Sequence, residues 1–148
     1  MKLVFGSDHA GYELKRFLIG KMEEKGIPCE DVGAPNATDA ASYVPAAVHA
    51  AERIQAGQAD FGVLICGTGI GISMAANKEK GIRAALCANE YMGRMARQHN
   101  NANVLAMGAR VIGPYLALSI LEAFLSEPFE KGGRHEKRVR EICALEQR

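Results

Sequence analysis

Short runs of apolar and β-branched residues recur along the chain, and between them lie longer segments in which apolar residues return every three or four positions. The short runs predict strands over residues 3–5, 28–32, 61–66, 83–86 and 104–107. In the first long segment Tyr12, Leu14, Phe17, Leu18 and Met22 fall on one helical face, and Gly26 supplies a stop. The same period predicts helices over residues 45–56, 70–78, 90–98 and 114–125, then a charged helix over 136–145. Strands alternating with helices build a parallel sheet with helical covers. The expected fold is therefore α/β: a Rossmann-like, doubly wound, five-stranded parallel sheet with a C-terminal helix. At 148 residues the chain suits a single domain, which buries roughly 68–70% of its unfolded surface. Residues 33–42, GAPNATDAAS, are the one long stretch of turn-forming composition, and loops of that length are often functional.

Charge changes the picture by exclusion. Eighteen basic residues against seventeen acidic ones leave a formal charge of +1, so no overall field favours nucleic acid or an anionic membrane. An anionic ligand must be held by a local cluster. Cys29, Cys66, Cys87 and Cys143 are widely separated and form no C-x-x-C pair, which argues against a zinc knuckle or a thioredoxin-type site and for a reducing compartment. No run approaches the ~20 apolar residues that span a bilayer. The start MKLVFGSDHAGYELK lacks the apolar length and cleavage site of a secretory signal, so a cytoplasmic protein is expected.

In open α/β sheets ligands bind beyond the carboxyl ends of the strands. There the sequence offers Ser7-Asp8-His9 after the first strand, Cys66-Gly67-Thr68-Gly69 after the third and Gly108-Ala109-Arg110 after the fifth; the helix after the fourth ends in RQHNN, Arg97 to Asn101. All four are expected to gather at one site. The loop CGTGIG can bring backbone N–H groups close to an anion. Its glycines lack the G-x-G-x-x-G spacing, no acid follows about 20 residues on to hold a ribose, and no Gly-Lys-Ser/Thr follows either. Cys66 is a candidate nucleophile or proton-abstracting base, since a thiol at a helix start is favoured as thiolate; the alternative is a small buried apolar residue. That alternative suits Cys29, Cys87 and Cys143 better. His9 and His99 are candidates for acid–base work near neutrality. His49, in AAVHAAE, reads as a packed or surface helix residue. His9, His99 and Asp8 contain no i, i+4 ligand pair, and no metal is expected. Arg134 and Arg138, four apart, share a helix face that can grip a phosphate or simply face water, and Arg110 could join them.

The stretches GSDHAGYELK, GVLICGTGIGISMAANKEKGIRAAL, ARQHNNANVLAMGARVIG and GGRHEKRVREICALEQR closely resemble the sugar-phosphate isomerase family of the B-type ribose-5-phosphate isomerases and the allose- and galactose-6-phosphate isomerases. The resemblance covers nearly the whole chain. It implies aldose–ketose isomerisation of D-ribose 5-phosphate and D-ribulose 5-phosphate through an enediolate, in the non-oxidative pentose phosphate branch, without metal or organic cofactor. Cys66 would then move the proton between C1 and C2 and His99 would help open the ring, with Asp8 and Thr68 assisting. Gly67, Thr68, Gly69, Ile70 and Gly71 would surround the reacting end. His9, Tyr43, Asn100, Arg110, Arg134 and Arg138 would hold other oxygens and the phosphate. The family forms dimers or tetramers in which residues around His99 reach the neighbouring subunit's site. Where the branch lacking the cysteine carries a glutamate, this chain has Ile72, which cannot act as a base.

Before its second helix the family usually reads Asp-Tyr-Pro, whereas here Ser42-Tyr43-Val44 precede Pro45. That altered loop keeps a hexose 6-phosphate such as D-allose 6-phosphate as an alternative substrate. A non-enzymatic nucleotide- or phosphate-binding domain is a third reading, against which the missing ribose-binding acid counts.

Overall fold

The computed structural model describes residues 1–148. Five parallel strands form one sheet: β1 (Leu3–Ser7), β2 (Cys29–Asp31), β3 (Phe61–Cys66), β4 (Ala84–Leu86) and β5 (Val104–Gly108), in the order β2-β1-β3-β5-β4. Helices α1 (Tyr12–Glu24), α2 (Tyr43–Gln55), α3 (Ile70–Ala76) and α4 (Glu90–Gln98) make the crossovers, and α5 (Pro114–Ser126) and α6 (Arg134–Ala144) follow β5. The chain steps outward through α1, returns past β1 through α2, jumps over β5 through α3 and comes back through α4. Right-handed crossovers send opposite steps to opposite faces. Accordingly α2 packs with α3, while α1 and α4 both pack against α5.

Side-chain alternation along the strands feeds two cores. Leu3, Phe5, Val63, Ile65, Leu105 and Met107 face α1, α4 and α5, whereas Val4, Leu64, Cys66, Val104 and Ala106 face α2 and α3. The second core takes Ala46, Ala47, Ala50 and Ala51 from α2, and these small side chains bring the helix close to the sheet. Cys66 thus stands at the end of a strand on the closely packed face.

The predicted elements all form, several with shifted ends. The second helix starts at Tyr43 rather than Pro45 because the Ser42 hydroxyl accepts the Val44 N–H at 3.1 Å and caps it. The third stops at Ala76. Beyond it the Asn77 amide exchanges two hydrogen bonds with the backbone of Ala84, at 2.7 and 2.9 Å, and so pairs with edge strand β4. The last helix begins at Arg134, two residues early, since Glu136 accepts the Gly132 N–H at 2.7 Å and fixes the first turn. One departure concerns burial: Lys15, on the first helix, is completely buried.

Candidate active site

Strand order reverses between β1 and β3, and the residues leaving β1, β3 and β5 meet beyond that point. Ser7 pairs with Ile65 and Cys66 with Gly108, so Asp8, Cys66 and Gly108 stand level at the carboxyl edge. The ladder continues past the strands: the N–H groups of Ala109 and Arg110 donate to the carbonyls of Cys66 and Gly67, both at 2.9 Å. This sets Arg110 beside the glycine loop, where a Cβ on Gly67 would lie 3.3 Å from its Nη1.

The loop itself turns on Gly69, whose φ of +81° is left-handed. A Cβ there would fall 2.5 Å from Leu86 Cδ1 and 2.8 Å from the Met107 carbonyl carbon, so the turn is pressed onto β5. The Gly69 N–H donates to Cys66 Sγ at 3.1 Å, and the Ile70 N–H to Thr68 Oγ1 at 3.2 Å. The N–H groups of Thr68 and Gly71 donate to no group of the chain. A nearly buried thiol therefore sits beside amide donors that are free to meet an oxygen. Over the loop lies Tyr43, whose ring occupies the space a Cβ on Gly71 would need, 2.3 Å from Cζ.

Asp8 and His9 complete this group. Asp8 is buried and its Oδ1 accepts the Gly11 N–H at 3.0 Å. Gly11 must be glycine, because a Cβ would lie 2.4 Å from the Ile65 carbonyl oxygen. His9 Nδ1 accepts the Ala41 N–H at 3.1 Å, which ties it to the 33–42 loop.

His99, Asn100, Arg134 and Arg138 do not join these residues within one chain, contrary to the expectation of a single gathering. Helix α4 runs back across the sheet, so His99 at its C-cap lies near the start of β5, a strand length from Cys66. There His135 of α6 stacks on His99, with ring centroids 3.8 Å apart and planes 5° from parallel. Glu130 Oε2 lies 4.0 Å from His99 Nε2. Arg110 accordingly belongs to the Cys66 group and Arg134 to the His99 group. Burial, then the neighbouring His99 and Arg134, hold the His135 imidazole below its ordinary value.

Sequence reasoning passed over Glu130 and His135, although His135 stands between the two singled-out arginines. Asp8 and His9 are at the opposite edge from His99, so the three could not share an ion within a chain. His99, Glu130 and His135 have donor atoms within 4.8 Å of one another, with the two imidazole rings stacked. Asn100 lines a groove of about 840 Å³ with Cys87, Met92, Met95, Ile142 and Leu145, away from Cys66. Burial pushes the thiols of Cys29 and Cys87 up to about 11, which fits their reading as small apolar residues. His49 is exposed on α2.

Known proteins resemble this chain throughout. It is 45% identical over 147 residues to ribose-5-phosphate isomerase B of Escherichia coli, covering 99% of this chain and 97% of that one. It is 40% identical over 148 residues to D-erythrulose-4-phosphate isomerase 2 of Mycolicibacterium smegmatis, covering 99% and 97%. The solved structure of Clostridium thermocellum ribose-5-phosphate isomerase B superposes with a TM-score of 0.96 at 46% identity, over 99% and 98% of the two chains. Residues 3–142 match the Ribose/Galactose Isomerase family, and the chain belongs to it.

Proposed function

We infer that this chain interconverts D-ribose 5-phosphate and D-ribulose 5-phosphate, in the non-oxidative branch of the pentose phosphate pathway and in the cytoplasm. The observation that carries this reading is Cys66 Sγ held by the Gly69 N–H beside the free amides of Thr68 and Gly71. Cys66 takes the proton from C2 of the open-chain aldose. The electron pair moves onto the C1 oxygen, which the loop amides stabilise as an enediolate. Passing the C2 hydroxyl proton to the C1 oxygen and returning the carbon proton to C1 gives the ketose, so the reaction balances internally and calls for no external oxidant or organic cofactor. One lost donor of this kind typically costs about 2.7–4 kcal/mol of barrier.

Ring opening is assigned to the partner subunit's His99, assisted by Asp8. Arg110 and His9 of one chain, with the partner subunit's Asn100, Arg134 and Arg138, hold the phosphate and outer hydroxyls. The separation of the two groups within a chain supports a homodimer, alone or within a tetramer, in which each site is shared.

The test is the rate of ribulose 5-phosphate formation with purified protein. Cys66→Ala is expected to abolish turnover while leaving the fold intact, and substantial residual turnover would overturn the assignment. Pentose phosphates are favoured over hexose phosphates by the relatives named for ribose 5-phosphate. The tetrose phosphate isomerase among them adds a shorter sugar to the comparison. Values of kcat/KM for tetrose, pentose and hexose phosphates decide the substrate.

A further inference from the structure

The Lys15 ammonium is the one fully buried charge in the chain that the proposed chemistry does not use. It donates to the Ala34 carbonyl at 2.8 Å, pairs with Asp31 Oδ1 at 3.0 Å and lies over the Tyr12 ring at 4.9 Å. The same Asp31 oxygen accepts the Gly33 N–H at 2.9 Å. Ala34 in turn donates its N–H to the Ser7 carbonyl at 2.8 Å, directly before Asp8 and His9. Lys15 therefore fixes the start of the 33–42 loop, which follows β2 and still pairs with the end of β1 at Ala34. At its far end that loop presents the Ala41 N–H to His9 Nδ1 at 3.1 Å.

A nitrogen that accepts a hydrogen bond carries no proton. In neutral His9 the proton must then sit on Nε2, leaving Nε2–H as the ring's only N–H donor. Burying an ammonium is costly, and an apolar side chain would serve packing equally well. A lysine there makes sense if its three directed contacts are needed for position.

We propose that Lys15 is a positioning residue: through Asp31 and Ala34 it holds the 33–42 loop so that the Ala41 N–H locks His9 in its Nε2–H form as a donor to the substrate. The substrate half rests on the isomerase reading; the tautomer does not.

The first arm is nitrogen NMR of the His9 ring in the free protein. The wild type should show one tautomer, Nε2–H, and Lys15→Met and Ala41→Pro should each show a mixture. A wild-type Nδ1–H form, or an unchanged tautomer in both variants, overturns the proposal. Should Lys15→Met fail to fold, Asp31→Asn removes the same ion pair at a partly exposed site and takes its place. The second arm is kinetic. Lys15→Met should raise KM about tenfold with kcat little changed, as loss of a binding contact does. In a His9→Asn background the same substitution should have no further effect, and additive losses would overturn action through His9. Absence of isomerase activity in the wild type would sink the proposed function while leaving the tautomer arm to be read.

Discussion

Two regions of this molecule carry its candidate chemistry, and they are built by opposite means. The Cys66 region is backbone: parallel ladders hold Asp8, Cys66 and Gly108 level and continue to Arg110 beside the loop, and glycines press the loop onto β5. The His99 region is side chains at helix ends, with His99, His135 and Glu130 touching at a partly exposed corner. The first has little freedom; the second is free to fit against another surface. In the proposed mechanism the thiol and the imidazole stand at two ends of one chain, and a second copy would be needed to bring them together.

Subunit mixing would break or confirm that division with the largest effect. Cys66→Ala and His99→Asn should each lower kcat by about 10²–10⁴. Refolded together at equal concentration, they should regain about one quarter of wild-type activity. Half of random dimers are mixed, and each mixed dimer has one site with both groups intact. Sites made within a single chain would regain nothing.

Paired glycine substitutions test the contrast in rigidity. Gly69→Ala puts a Cβ 2.8 Å from the Met107 carbonyl carbon at a left-handed φ, so unfolding by urea should show a loss of at least about 1–2 kcal/mol with unchanged m. Gly133→Ala, at the start of the helix carrying His135, meets nothing within 4 Å and has an ordinary extended φ of −132°. It should stay within about 0.5 kcal/mol of the wild type. Equal losses would show that the two regions do not differ in the way the contacts imply.

Gly71→Ala sharpens the same comparison on the substrate side. The new methyl would occupy the place of the Tyr43 ring, a half-buried side chain at the first position of α2 that can swing outward. The expected outcome is a several-fold rise in KM with little loss of stability. An unchanged KM would remove Tyr43 from the substrate's surroundings.

The same division decides what the sequence makes legible. Alternating runs reveal the strands, and whatever immediately follows a strand must emerge at its carboxyl edge, which places Asp8, Cys66 and Arg110. His99 follows the fourth strand only after nine helical residues, roughly 13 Å of travel in the reverse direction. Reading it as a strand-end residue therefore sends it to the wrong edge. Lys15 escapes for another reason. A helical face counted by apolar residues omits a lysine, and its burial depends on Asp31 and Ala34, which sequence distance separates from it. The stacking of His135 on His99 is equally a product of tertiary packing, since no spacing rule joins α4 to α6.

The smallest predicted effect concerns that stack and is read through pH. In the folded chain His135 is held below its ordinary 6.5, by burial first and then by His99 and Arg134, while in the unfolded chain it regains that value. Below about pH 6.5 the unfolded state thus binds more protons at this site than the folded one. Its contribution is favourable above that pH and is lost as pH falls through the folded value. His135→Asn removes the titration. Urea unfolding between pH 7.5 and about 5 should show the wild type losing slightly more stability than the variant, a small difference because the ring is only partly buried and solvent screens its charge. A variant more acid-sensitive than the wild type would mean that His135 binds its proton more tightly when folded, with Glu130 outweighing His99 and the arginines.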